Sequence, residues 1–220
     1  MSWEPVEQGF GGWRRSVARP DTLVIVLHGF GRSGENIKRR LAEPLSRGLP
    51  NAAFYAPDGF EPVDADAGGD VGGRQWFSRH DITPALRLER LRAAHPRLQQ
   101  LIDEELARTG LPPERLVLAG FSQGAIFSQH QAATVAQRHA LVLAYAGRLA
   151  TPVVARNGTP VTIVHGTADG ELADVEAGAA QFREAGHAVD LHWLDGLAHD
   201  LSDEGIRLGI EAIRRAGSQA

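Results

Sequence analysis

The segment LVLAGFSQGAIFSQ sets Ser122 between Gly120 and Gly124 in the pattern G-x-S-x-G. A serine at a sharp turn from strand to helix projects its hydroxyl above a sheet. Flanking side chains would collide there, so the flanking positions take glycine. The N–H of the next residue, Gln123, faces the same side at the positive end of the following helix. In a chain with 25 Gly the pattern alone is a weak signal, and its context strengthens it: an apolar run precedes it and a helical segment, 123–137, follows. A hydroxyl is a poor nucleophile until a base takes its proton, and the base needs a third group to orient it. Behind a serine in this turn the partners follow in the order acid, histidine. Asp169 in HGTADGEL and His199 in DGLAHDLS each come after an apolar run, in loops where open α/β sheets gather their sites.

The remaining histidines have plainer readings. His95, His130, His139 and His187 fall in helices or at helix ends and read as solvated. His192 lies within a strand, and His80 ends a long loop from which it can line the site. His28 and His165 each close a strand before a glycine and read as braces of the loop that follows. The set His165, Asp169, His199 and Asp200 has no compact metal-ligand spacing, so no metal is expected.

A second constellation competes with the first. TLVIVLHGFGRSGENI carries Gly29, Gly31 and Gly34 as G-x-G-x-x-G between a strand and a helix, with Asp58 further on. That is the dinucleotide-binding fingerprint, and it admits a dinucleotide-dependent oxidoreductase as the alternative. Such an enzyme leaves Ser122, Asp169 and His199 without roles. A non-catalytic binding protein on the same framework is the third reading.

The elements that must position these residues are legible as apolar runs. TLVIVL (22–27), AAFYA (52–56), RLVLAG (115–120), LVLAYAG (141–147) and VTIVHG (161–166) have the continuous apolar character of strands buried on both faces, and VDLHWL (189–194) alternates more. Between them lie helical segments. Thr83 reads as an N-cap with Pro84 at the first position, and Pro96 is expected to kink or divide the helix that follows. The last helix begins with Ser202, Asp203 and Glu204, carries Arg214 and Arg215 near its end, and has Gly217 beyond. This alternation predicts an open, mostly parallel sheet with helices on both faces. The Gly- and Asp-rich stretch 57–80 is the longest expected loop.

Composition narrows the rest. The 220 residues are most simply one domain, 1–220, with 43% hydrophobic and 23% charged residues. A net charge of −4 without long basic runs argues against nucleic acid and anionic membrane as partners. With no Cys there is no disulfide framework and no thiol nucleophile. MSWEPVEQGFGGWRR does not have the order of a signal peptide, and no apolar run approaches the ~20 residues that span a bilayer. A cytoplasmic protein without a stable membrane anchor is the expectation.

Six blocks of this chain, VIVLHGFGRSGENI, FYAPDG, GGRQWFS, GFSQGA, VHGTADGEL and GLAHDLS, resemble in order the signature blocks of the phospholipase/carboxylesterase family, which includes acyl-protein thioesterases. The resemblance runs from about residue 20 to the C-terminus. It implies an α/β-hydrolase fold with no large cap domain, no cofactor, and a Ser122–His199–Asp169 triad acting on small acyl esters or thioesters. Arg32, Ser78 and Asp200 depart from the family pattern, at positions where substrate or supporting contacts form. Acyl transfer places negative charge on the carbonyl oxygen and calls for two preset backbone donors. Gln123 supplies one, and Phe30 in the HGFG loop is chosen for the other. Trp76, Phe77 and Ile126 are candidate walls for the acyl group.

Overall fold

The computed structural model describes residues 2–64 and 72–219. The expected long loop therefore falls partly, at 65–71, outside the described residues. Among the described residues ten strands follow in chain order: β1 (Glu4–Pro5), β2 (Trp13–Arg15), β3 (Thr22–Leu27), β4 (Ala52–Ala56), β5 (Glu61–Pro62), β6 (Arg74–Gln75), β7 (Leu116–Phe121), β8 (Leu141–Tyr145), β9 (Val161–Gly166) and β10 (Val189–Leu194). The helices are α1 (Gly34–Ile37), continued by a π turn and α2 (Glu43–Gly48), then α3 (Pro84–Thr109), α4 (Gln123–Thr134), α5 (Leu172–Glu184) and α6 (Asp203–Gln219).

Eight strands form one sheet in the order β1-β2-β4-β3-β7-β8-β9-β10. From β4 to β10 every pairing is parallel, and β1 and β2 add an antiparallel edge. That edge carried no apolar run in the sequence. Period-2 alternation explains why the central strands read as continuous runs. Leu23, Ile25 and Leu27 of β3 join a core under α3, α4 and α5, while Val24 and Val26 face a second core under α1, α2 and α6. With both faces covered, alternating side chains on each strand are all buried.

Two helix expectations need correction. α3 runs without division through Pro96, with Leu91 before it and Leu98, Leu101 and Ile102 after it buried against the sheet. The carbonyl that proline leaves without its helical donor is that of Arg92, and both residues are exposed. α6 continues past Gly217, whose carbonyl accepts a hydrogen bond from Arg115 Nη1 at 3.1 Å.

The histidines also sort differently from their sequence reading. His130, His139 and His187 are buried, not solvated. α4 packs beneath α3 against the sheet and hides nearly its whole surface, polar residues included. His95 Nε2 lies 2.7 Å from Gln131 Oε1, and Gln131 Nε2 reaches both Gln99 and His139. Among the described residues no helix is long and apolar enough to cross a membrane.

Candidate active site

Ser122 stands at the end of β7 with φ 54° and ψ −116°, a conformation unusual for a residue with a side chain. Its neighbours hold it there. Ser122 N donates to Tyr145 O at 2.9 Å, and Ser122 O accepts from Ile126 N at 3.0 Å. The flanking glycines are required sterically. A Cβ on Gly120 would lie 2.3 Å from the Gly124 carbonyl carbon, and one on Gly124 would lie 2.3 Å from Leu27 O. The turn is therefore wedged between its own helix and the end of β3.

The other two residues converge on the hydroxyl from neighbouring strand ends. His199 Nε2 is 2.9 Å from Ser122 Oγ, and His199 Nδ1 is 2.8 and 2.9 Å from the two carboxylate oxygens of Asp169. Asp169 follows β9 and His199 follows β10, which pair in parallel, so both loops emerge at one edge of the sheet. Hydrogen bonds tie these loops together: Ala168 N to Leu197 O at 3.0 Å, and Gly196 N to Thr167 Oγ1 at 2.8 Å. The His199 ring also packs on Phe121, with centroids 5.1 Å apart. With Nδ1–H facing the carboxylate, Nε2 presents its lone pair to the serine proton. The Asp169 side chain is only 9% exposed, whereas half of the His199 side chain remains open to solvent.

Three further acids of the neighbouring loops and of α5 are engaged away from the His199 ring. Asp195 accepts from Thr167 Oγ1, Asp174 pairs with Arg148, and Asp200 binds Arg40 and the Leu201 amide. The Leu201 amide and Arg40 hold the Asp200 carboxyl below the usual carboxylate range.

The glycine loop after β3 lies against the serine. A Cβ on Gly29 would come within 3.3 Å of Ser122 Cβ. The amides a pyrophosphate would use are already engaged: Gly31 N donates to Arg74 O at 3.0 Å, Arg32 N to Gly29 O at 3.2 Å, and Gly34 N to Asp58 Oδ1 at 2.7 Å. Asp58 thus sets a carboxylate at the helix start, where a dinucleotide would bring its phosphates. Among the described residues the Phe30 and Gln123 amides have no acceptor. His28 braces the loop, with Nδ1 on Gly29 O at 2.7 Å and Nε2 accepting from Gly59 N at 2.8 Å. Burial lowers its pKa to about 4, so the ring is neutral at pH 7. His165 Nε2 lies 3.1 Å from Gly170 O and 3.4 Å from Asp169 Oδ2, bracing the acid's loop.

Of the three proposed walls, Phe77 and Ile126 line a cleft of about 420 Å³ that opens onto Ser122 and His199. Trp76 does not. It is 1% exposed and packs edge-on against Phe60, with its Nε1 donating to His28 O at 2.8 Å. Residues 76–77 form a bend after β6; both aromatics are buried, and of the two Phe77 also meets the cleft. Gln123 has a second role that nothing in the sequence signals: its side chain accepts from Trp76 N at 3.0 Å and donates to Phe77 O at 2.7 Å, fixing that wall. His80 is exposed, pairs with Asp81 and lies outside the cleft lining. Ser78, one of the departures, donates to Asp64 Oδ2 at 2.6 Å.

A family model described as phospholipase/carboxylesterase matches residues 15–214. Acyl-protein thioesterase 1 of Kluyveromyces lactis is 30% identical over 129 residues, so the chain spans about half the length of this curated relative, 54% of each. Among solved structures, esterase PE8 superposes with a TM-score of 0.79 at 24% identity, covering 90% of this chain and 94% of that one. A carboxylesterase from Mesorhizobium loti gives 0.76 at 19% identity, covering 96% and 98%. The sheet order, the helices on both faces and these likenesses give an α/β-hydrolase fold, with no large cap among the described residues, and the chain belongs to the phospholipase/carboxylesterase family.

Proposed function

We propose that this protein is a serine hydrolase that cleaves carboxylic esters or thioesters of acyl groups through an acyl-serine intermediate. One observation carries the reading: Ser122 Oγ, both ring nitrogens of His199 and the Asp169 carboxylate form one unbroken hydrogen-bonded line from three strand ends. His199 Nε2 accepts the Ser122 proton as Oγ attacks the acyl carbonyl. The Gln123 and Phe30 amides stabilise the oxygen that becomes negative, and Asp169 stabilises the imidazolium. The tetrahedral species collapses, and the alcohol or thiol leaves with the proton from His199. Water then attacks the acyl-serine through the same base, releasing the acid and restoring the hydroxyl. Phe77 and Ile126 contact the acyl group.

Labelling by a fluorophosphonate and a hydrolysis panel of esters against thioesters test the reading together. Wild type should label at Ser122 and turn over at least one class, and Ser122→Ala should lose the label and roughly 10³–10⁶-fold in kcat. Turnover by Ser122→Ala at the wild-type rate would place the chemistry elsewhere.

A further inference from the structure

Three arginines from separate parts of the chain face the same cleft as Ser122: Arg79 from the loop after β6, Arg87 from the first turns of α3, and Arg148 from the segment after β8. Only Arg148 is neutralised, by Asp174 and by Glu171 at 3.5 Å. Arg79 and Arg87 have no carboxylate partner among the described residues. The other acids nearby are committed, Asp169 to His199 and Asp81 to His80. Burial, with the charges of Arg148 and Arg79, lowers the pKa of the Arg87 guanidinium, and the carboxylates of Glu171 and Asp174 offset this in part.

The two cations come from different settings, Arg79 from an exposed loop and Arg87 from a half-buried helix start. Arg79 lies between Ser78 and His80, whose carbonyls both accept from Arg90 Nη1, at 3.0 and 2.6 Å. Its guanidinium sits 4.7 Å from the centre of the Phe30 ring, beside the glycine loop. Arg87 rises from a helix start that contains no acidic residue, so the helix dipole adds to its field instead of cancelling it. Cations at a helix N-terminus are destabilising, and a half-buried one without a partner more so. A carboxylate or phosphate offers the planar or multidentate acceptor that such guanidinium groups match.

We propose that Arg79 and Arg87 form an anion subsite of the catalytic cleft, so that the preferred substrate is an ester carrying a carboxylate or phosphate a few atoms from the scissile carbonyl. This rests on the serine-hydrolase reading for the word substrate, while the anion site stands on the cleft itself. Two matched pairs separate the sources of charge. The 4-nitrophenyl monoester of adipic acid is compared with its methyl-capped counterpart, and the butyrate ester of glycerol 3-phosphate with that of glycerol. In at least one pair the anionic member should have the higher kcat/KM. In that pair Arg79→Gln and Arg87→Gln should each lower the anionic-to-neutral ratio at least tenfold, with both variants folded by circular dichroism. A ratio at or below one in both pairs, or one that neither variant moves, overturns the proposal. If the wild type cleaves no ester and takes no phosphonate label, the hydrolase reading fails separately. Calorimetry with adipate and with inorganic phosphate then decides the subsite: binding weakened tenfold in the variants sustains it, and no binding in the wild type overturns it.

Discussion

Replacing Asp169 by Asn removes one charge and almost no volume, and so isolates what the carboxylate does. In the resting protein both of its oxygens lie within 2.9 Å of His199 Nδ1. Once Ser122 gives up its proton the ring is cationic, and two unit charges about 2.8 Å apart attract by roughly 6 kcal/mol at an effective dielectric near 20. That attraction exists in the transition state and not with a neutral ring, so it sets a ceiling near 10⁴-fold on kcat. The asparagine amide also offers an N–H to Nδ1, which favours the tautomer whose Nε2 already carries a proton. This substitution in a serine triad lowers kcat by about 10⁴. Single-turnover release of 4-nitrophenol measures the loss directly. Asp174→Asn, Asp195→Asn and Asp200→Asn, whose carboxylates hydrogen-bond elsewhere, should each cost less than about tenfold, or ~1.4 kcal/mol of barrier. A nearly active Asp169→Asn beside a dead Asp200→Asn would refute this assignment of the acid.

Gly29→Ala places a Cβ 3.2 Å from Phe121 Cδ1 and 3.3 Å from Ser122 Cβ, so the loop carrying the Phe30 amide, or the Phe121 and Ser122 side chains it meets, must give by a few tenths of an ångström. A fall in kcat of up to roughly 10²–10³-fold with a nearly unchanged melting temperature is expected, the scale of one lost oxyanion donor; wild-type kcat would count against Phe30 as a donor. Trp76→Phe leaves the His28 carbonyl buried without its donor and should cost about 1–3 kcal/mol in urea unfolding while the acyl-length profile stays the same. A changed profile with unchanged stability would return Trp76 to the cleft wall. Burial lowers His28 and His130 to about 4 from the ordinary 6.5. The unfolded chain therefore takes up protons that the native chain refuses, and stability is lost as pH falls from 6.5 towards 4, by up to ~2.7 kcal/mol per unit for the pair. Urea midpoints that stay level between pH 7 and pH 5 would show that these rings are accessible to protons.

By itself the sequence determined the features that depend on local pattern. Strand runs covered on both faces are apolar nearly throughout, so the five strands from β4 to β9 in the sheet were legible to within an end position or two, and the edge strand β10 by its alternation. The turn at Ser122 needs small flanking residues whatever surrounds it, and the chain order of serine, acid and histidine follows from strand ends meeting at one edge of a parallel sheet. What only the tertiary structure decided are relations between segments remote in sequence. Whether Trp76 or Phe77 faces the cleft depends on a register set by the Gln123 side chain from another element. The polar residues of α4 look solvent-facing until α3 is laid over them. Gly29, Gly31 and Gly34 fit a phosphate loop by spacing, but Asp58 fills the helix start and Gly29 abuts Ser122, contacts that no spacing encodes. Arg79, Arg87 and Arg148 are ordinary surface residues in the sequence, because a field at one point is a sum over charges that only the folded chain brings within a few ångströms of each other.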